Sequence, residues 1–237
     1  MNTGKATVDE IRHRFDQDVE RFSNLETGQS ATMDAPLVLD LIRQLVPATN
    51  PAARAMFDIG CGAGNFTLKI LQMLPNLDCT LMDLSLPMLQ RARQRVGAAT
   101  TGRVTCLQTD IRDYTATPES FDVIVAAAVL HHLRAEQEWR SVFQMIYRAL
   151  KPGGTFWVWD MITHDTPAVQ TIMQQSFGQY LSAQKGTDYR DAVFTYIEKE
   201  DSPTSLNFQL NMLRQTGFQT TEILHKTAVF AAYVAIK

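Results

Sequence analysis

The sequence predicts a doubly wound, mostly parallel α/β sheet, and three observations carry that prediction. From residue 55 onward, short apolar runs alternate with segments of helical periodicity, the pattern of consecutive strand–helix units. The run FDVIVAAAVL is apolar but for Asp122, as a strand buried on both faces should be. At the end of the chain, FQTTEILHKT and VFAAYVAIK follow each other with no room for a helix between them. They must therefore pair antiparallel, which puts one antiparallel strand last in the sheet.

The elements follow in order. Residues 7–22 place Val8, Ile11, Phe15, Val19 and Phe22 on one stripe of an amphipathic helix. NLETGQSATM reads as a loop. A second helix starts at Asp34 as cap with Pro36 in its first turn, and Pro47 ends it. AMFDIG is then a strand, GNFTLKILQML a helix stopped by Pro75, DCTLMD a strand, PMLQRARQRV a helix with a solvated arginine face, and RVTCLQTD a strand. After FDVIVAAAVL come the helix EQEWRSVFQMIYRAL, the turn KPGG and the strand TFWVWDM. Residues 166–200 are helical and aromatic, and Gly217 caps the helix PTSLNFQLNMLRQTG. One domain spans residues 1–237, with 1–34 and 161–200 as additions covering the carboxyl edge of the sheet, where ligands of such folds bind.

Composition is ordinary for a globular domain: 45% apolar and 20% charged over 237 residues. A net charge of −3 and a pI of about 5.9 speak against a broad basic nucleic-acid face, while a local RNA-binding patch stays open. Cys61, Cys79 and Cys106 are scattered with no metal-ligand spacing, so they read as small buried thiols and no metal site is expected. Neither a leader-type apolar segment nor a run of 18 apolar residues occurs, so a cytoplasmic protein without a membrane span is expected.

The stretch MFDIGCGAGNF holds the first chemistry. Gly60, Gly62 and Gly64 give G-x-G-x-G, whereas the dinucleotide fingerprint wants its third glycine at residue 65, which is Asn. No Gly-Lys-Ser/Thr follows, so a phosphate loop fails too. Asp83 closes the next strand 19 residues past Gly64, where a carboxylate can accept both hydroxyls of a ribose. That feature fits NAD and S-adenosylmethionine (SAM) alike.

Taken in order, FDIGCGAGNF, MDLSLPMLQRA, TDI at 109–111, FDVIVAAAVLHHL and LKPGG resemble the class I SAM-dependent methyltransferases over roughly residues 35–160. The resemblance implies their seven-stranded Rossmann-like fold with SAM as cofactor. It places Asp58, Gly60, Cys61, Gly62 and Gly64 at the methionine end, and Asp83 and Leu84 at the ribose. Asp110 and Ile111 fall at the adenine, and Ala127 and Ala128 where small residues leave space for the cofactor. Asp58 as a turn cap and Asp110 as a solvated carboxylate are the plainer alternatives.

Methyl transfer from a sulfonium needs positioning more than a protein nucleophile. His131 and His132, after the fourth strand, are candidates for a general base, as is His164 after VWDM. The bland alternative has one of the adjacent pair packing under the cofactor and the other capping a helix. Phe15, Phe22, Phe177, Tyr180, Tyr189, Tyr196 and Arg190 are candidate lining for a small-molecule acceptor, with Arg190 beside Asp188 and Asp191 also readable as a surface arginine.

RFDQDV at 14–19 and the closing LRQTGFQTTEILHKTAVFAAYVAIK are also similar to carboxy-SAM synthases, which transfer a carboxyl from prephenate onto SAM. Such a diacid needs basic residues, and FTYIEKEDSPTSL offers few. Carboxyl transfer is thus the alternative to methyl transfer, a non-catalytic SAM-binding module is a third reading, and a homodimer stays open.

Overall fold

The computed structural model describes residues 4–24 and 30–237. Seven strands form one sheet: β1 (Ala55–Ile59), β2 (Asp78–Asp83), β3 (Val104–Gln108), β4 (Phe121–Ala127), β5 (Leu150–Met161), β6 (Thr220–Thr227) and β7 (Phe230–Ile236). Their order is β3-β2-β1-β4-β5-β7-β6. The β1–β2, β1–β4, β2–β3 and β4–β5 pairs are parallel, and β7 runs antiparallel to both neighbours, as the missing helix between the last two runs requires.

Nine α-helices accompany the strands among the described residues: α1 (Val8–Gln17), α2 (Val19–Ser23), α3 (Ala35–Thr49), α4 (Asn65–Leu71), α5 (Leu86–Ala99), α6 (Glu136–Ala149), α7 (Pro167–Lys185), α8 (Thr187–Glu200) and α9 (Leu206–Thr216). Because side chains alternate across a strand, neighbours part to opposite layers. Met56, Val123, Val125, Trp157 and Trp159 pack with Val38 and Ile42 of α3, Ile70 of α4 and Leu89 of α5. Phe57, Ile124, Phe156 and Val158 pack with Trp139, Phe143 and Ile146 of α6 and Leu210 and Leu213 of α9. A third cluster, including Met161, Phe177, Leu181, Val193 and Phe230, seats the α7–α8 hairpin on the carboxyl edge.

Several local expectations are corrected. The N-terminal helix breaks in two at Asp18, whose backbone leaves the helical region at φ −103°, ψ 11°. Residues 25–29 of the expected loop lie outside the described residues. Asp34 sits in the left-handed region (φ 59°) and makes no capping bond, because its carboxylate accepts from His225 Nε2 at 2.8 Å instead. Pro47 lies inside α3, which runs to Thr49. KPGG belongs to the start of β5, beside an irregularity in the β4–β5 register between Phe121 and Val123. The arginine face of α5 is not simply solvated: Arg91 pairs with Glu20, and Arg95 donates to the Ala63 carbonyl at 2.6 Å and Asn65 Oδ1 at 2.9 Å. No helix among the described residues is long and apolar enough to cross a membrane.

Candidate functional site

The strand order reverses between β1 and β4, and a cavity opens there at the carboxyl ends of the strands, where an open α/β sheet leaves a crevice. Its floor is the turn from β1 into α4. Gly60, Gly62 and Gly64 all have positive φ (64°, 50° and 83°). At Gly60 the reason is twofold, since a Cβ there would also lie 2.6 Å from Val129 Cγ2. At Gly62 nothing lies within 4 Å, so the backbone faces open space in the cavity. Gly64 caps α4 and packs toward Val96 and Ala92 of α5. It does not line the cavity, contrary to the direct ligand contact expected from sequence.

Two carboxylates face this floor. Asp83 Oδ2 accepts the Gly62 N–H at 2.8 Å, and its Oδ1 accepts the Ser85 N–H at 2.9 Å. Asp58, 2% exposed, accepts from Thr67 Oγ1 at 2.6 Å. Burial pushes the Asp58 carboxyl up to about 7, with the charge of Asp83 adding against the Thr67 hydrogen bond. Burial likewise pushes Asp83 up to about 6 against its backbone hydrogen bonds. Among the described residues neither carboxylate is paired with a lysine, arginine or histidine. The donor set therefore fits a ligand that itself brings positive charge and hydroxyl donors, as SAM does with its sulfonium, ammonium and ribose.

Leu84, Ile111, Ala127, Ala128 and Cys61 also line the cavity. Ala128 follows β4 with φ 52°, so the chain turns sharply at the strand's end. Burial raises the Cys61 thiol well above its usual range, which leaves it an inert wall. Asp110 lines the cavity but is already engaged: Arg112 donates to it from its backbone N–H at 2.9 Å, from Nε at 2.8 Å and from Nη2 at 2.5 Å. Burial alone would raise this carboxyl, and the Arg112 bonds outweigh that and hold it below its ordinary value.

The opposite wall is built from remote segments. Phe15 of α1, Phe22 of α2, Phe177 of α7 and Tyr196 of α8 reach the cavity, together with Met161 and Phe230. Tyr180, Tyr189 and Arg190 do not. Tyr180 and Tyr189 pack in the hairpin cluster, with Tyr180 Oη donating to the Ser30 carbonyl, and Arg190 pairs with Asp191 at 2.8 Å. His164 is also outside the cavity, correcting its candidacy as a base: its ring meets Gln170 Oε1 at 3.1 Å and Lys226 Nζ at 3.0 Å.

His131 and His132 both line the cavity, in different states. Asp160 holds His131 Nδ1 and also accepts the backbone N–H groups of Leu130 (2.7 Å), His131 (3.2 Å) and Met161 (2.7 Å). Burial alone would lower the His131 pKa, but the charges of Asp160 and Asp201 outweigh it and push it up to about 9. His131 is thus a cation at neutral pH and holds no free lone pair for a base. Burial, with the His131 charge adding, drives His132 well below its usual range, so its ring is neutral. His132 sits edge-on to Phe15 with centroids 6.3 Å apart. The sequence reading missed Arg14, Arg21 and Arg134, which also border the cavity. Arg14 grips Glu200 through Nε (2.8 Å) and Nη2 (2.5 Å) across 186 residues of chain, a pairing that no local motif signals.

The reversed strand order, the glycine turn and the two acidic strand ends define a Rossmann-like nucleoside-binding fold of the methyltransferase type. A family model described as a methyltransferase domain matches residues 57–156. The chain is 26% identical over 224 residues to a malonyl-acyl-carrier-protein O-methyltransferase of Paenibacillus sp. (strain JDR-2), covering 93% of this chain and 74% of that one. It is 23% identical over 258 residues to a carboxy-S-adenosyl-L-methionine synthase of Shewanella sediminis, covering 100% of both. Among solved structures, an O-methyltransferase family protein from Burkholderia thailandensis superimposes with a TM-score of 0.66 at 18% identity, covering 100% of this chain and 65% of that one. The chain thus matches a methyltransferase domain over residues 57–156 and is similar to SAM-dependent enzymes along most of its length.

Proposed function

We propose that this protein transfers the methyl group of SAM to a small-molecule acceptor held beneath α1, α2, α7 and α8. The observation that carries this reading is one cavity with two chemically distinct walls: an acidic, glycine-turn floor without a cationic partner, and a facing wall of Phe15, Phe22, Phe177 and Tyr196. SAM, when bound, supplies an electrophilic methyl group on a good leaving group. Asp83 would accept from the ribose, and the Gly60–Gly62 backbone and Asp58 would hold the methionine end. Ile111 would pack on the adenine, and the free lone pairs of Asp110 would accept from the exocyclic amine. The helices α1, α2, α7 and α8 act as the cover that excludes water and fixes the acceptor. His132 is neutral at the acceptor side, and because burial and the His131 charge oppose its protonation, its ring serves to position the acceptor more than to take a proton from it. The three free thiols support a reducing, cytoplasmic setting.

The test is calorimetric titration of SAM into the full chain, followed by a small-molecule acceptor screen read by S-adenosylhomocysteine formation. SAM binding with turnover on an acceptor supports the reading. SAM binding with no turnover on any acceptor class counts against it.

A second reading is carboxyl transfer onto SAM. It is supported by the whole-chain likeness to carboxy-SAM synthases and by Arg14, Arg21 and Arg134 at the cavity, cations of the sort an anionic carboxyl donor needs. Mass spectrometry of the small molecules released on denaturation separates the two: carboxy-SAM selects the second, SAM or S-adenosylhomocysteine the first.

A further inference from the structure

The cavity's polar corner holds three side chains whose ligand-type atoms converge, and a metal ion bound at His131 Nε2 would release the proton that this nitrogen carries at neutral pH. His131 Nε2 lies 3.6 Å from Asp201 Oδ1, and His132 Nδ1 lies 3.3 Å from the same oxygen. All three ligand atoms fall within 4.8 Å of one another. A tetrahedral ion with nitrogen and oxygen ligands at about 2.0–2.1 Å sets its ligands about 3.3–3.4 Å apart, so the His132–Asp201 edge already matches and the His131–Asp201 edge is slightly longer. Among the described residues, His132 Nδ1 and Asp201 Oδ1 are buried and make no hydrogen bond, and Asp201 is only 4% exposed. A buried polar atom left without a partner is costly, and two that face each other point to a group between them.

The surroundings have the form of a metal site's supporting shell. Asp160 holds His131 at Nδ1, which turns Nε2 toward Asp201, and backbone N–H groups of Leu130 and Met161 fix that carboxylate in turn. Asp160, Asp201 and Glu200 outnumber the Arg14 and Arg134 guanidiniums nearby, and Arg14 is already spent on Glu200. The Ser202 N–H donates to the His131 carbonyl at 2.7 Å, so the end of α8 is tied to the histidine turn.

We infer that His131, His132 and Asp201 form a binding site for a divalent transition-metal cation that opens to the acceptor side of the cavity. Two imidazoles and one carboxylate suit zinc, cobalt, nickel or ferrous iron better than magnesium or calcium. Three protein ligands leave a position for the acceptor. An acceptor hydroxyl or thiol bound there releases its proton to water more readily and attacks as the stronger nucleophile. The adjacent histidines show no metal motif in sequence because the third ligand lies 69 residues beyond His132.

The experiment titrates Co2+ into the EDTA-treated full chain, followed by calorimetry and by visible absorption. One equivalent should bind, with the intense d–d bands of a four-coordinate site. His132→Ala and Asp201→Asn should each remove those bands. Asp160→Asn, a positioning change, should weaken binding by about 10–100-fold. Circular dichroism melts identify any variant that fails to fold, and the wild-type and Asp160→Asn titrations then carry the test. Absence of binding up to millimolar Co2+, or bands unchanged in a folded His132→Ala variant, overturns the site and leaves a hydrogen-bonded Asp–His pair. SAM titrated in parallel reports separately on the methyl donor, so loss of the metal site with SAM binding intact leaves the proposed function standing.

Discussion

The two walls of the cavity are built in opposite ways. The wall we propose for the cofactor comes from the carboxyl ends of β1, β2, β3 and β4, each of which delivers one short segment: 58–62, 83–84, 110–111 and 127–128. Within each segment, strand direction and backbone conformation decide where the groups point. The wall we propose for the acceptor is assembled from α1, α2, α7, α8 and the turn after β4, joined by contacts such as Arg14–Glu200 and Phe15–His132. A wall fixed by backbone tolerates few substitutions at its glycines and acids. A wall fixed by side-chain contacts between distant helices can be reshaped for different acceptors without disturbing the first. Fold, and with it cofactor, is thereby separated from substrate.

The comparison predicts a ranking of effects. The largest is expected at Gly60→Ala, where the new Cβ meets Val129 in a left-handed backbone, at a cost of about 2–4 kcal/mol in stability. Urea unfolding reads it, and Val129→Ala in the same chain should restore part of the loss; an unaltered midpoint would break the claim that backbone fixes this wall. Next comes Asp83→Ala, which removes the proposed ribose acceptor and the partner of the Gly62 N–H. SAM affinity should fall by about 1.5–3 kcal/mol, or roughly 10–150-fold, by calorimetry.

On the acceptor side, Arg14→Ala leaves Glu200 buried without its cation. Because the pair is partly open, with Arg14 at 28% exposure, the expected loss is about 1–3 kcal/mol. SAM affinity should change little while turnover on the acceptor drops. Equal losses in both would show the two walls to be one unit.

A smaller effect comes from pH. Asp58 and Asp83 are raised to about 7 and about 6 in the folded protein, above the usual carboxylate value near 3.9. The folded chain binds more protons than the unfolded one between about pH 4 and 7, so these two groups make SAM-free stability fall as pH rises across that window. A cationic ligand favours the charged carboxylates, so SAM should bind more tightly at pH 8 than at pH 5 and flatten the stability profile. Thermal melts at the two pH values, with and without SAM, give the sign. Least of all, Arg190→Ala should stay within about 0.5 kcal/mol of the parent, since its one partner is the exposed neighbour Asp191.

The sequence by itself determined the sheet, its antiparallel close and the acidic glycine floor. Those features rest on local signals: alternation, breakers, and glycines needed for positive φ within a few residues. It also named Phe15, Phe22, Phe177 and Tyr196, which reach the cavity, though only as aromatics in the right segments. Gly64 looked like its two neighbours in the motif, yet it faces α5, because three alternating glycines on a turn cannot all point one way. His164 looked equivalent to the His131–His132 pair at the edge of the sheet, and only the path of the chain after β5 takes it to Gln170 and Lys226. The tertiary structure alone decided that His131 is held charged between Asp160 and Asp201 while His132 beside it is neutral, and that Arg14 meets Glu200. Those outcomes depend on burial and on charges brought together from far along the chain, and neither is a property of any short stretch of sequence.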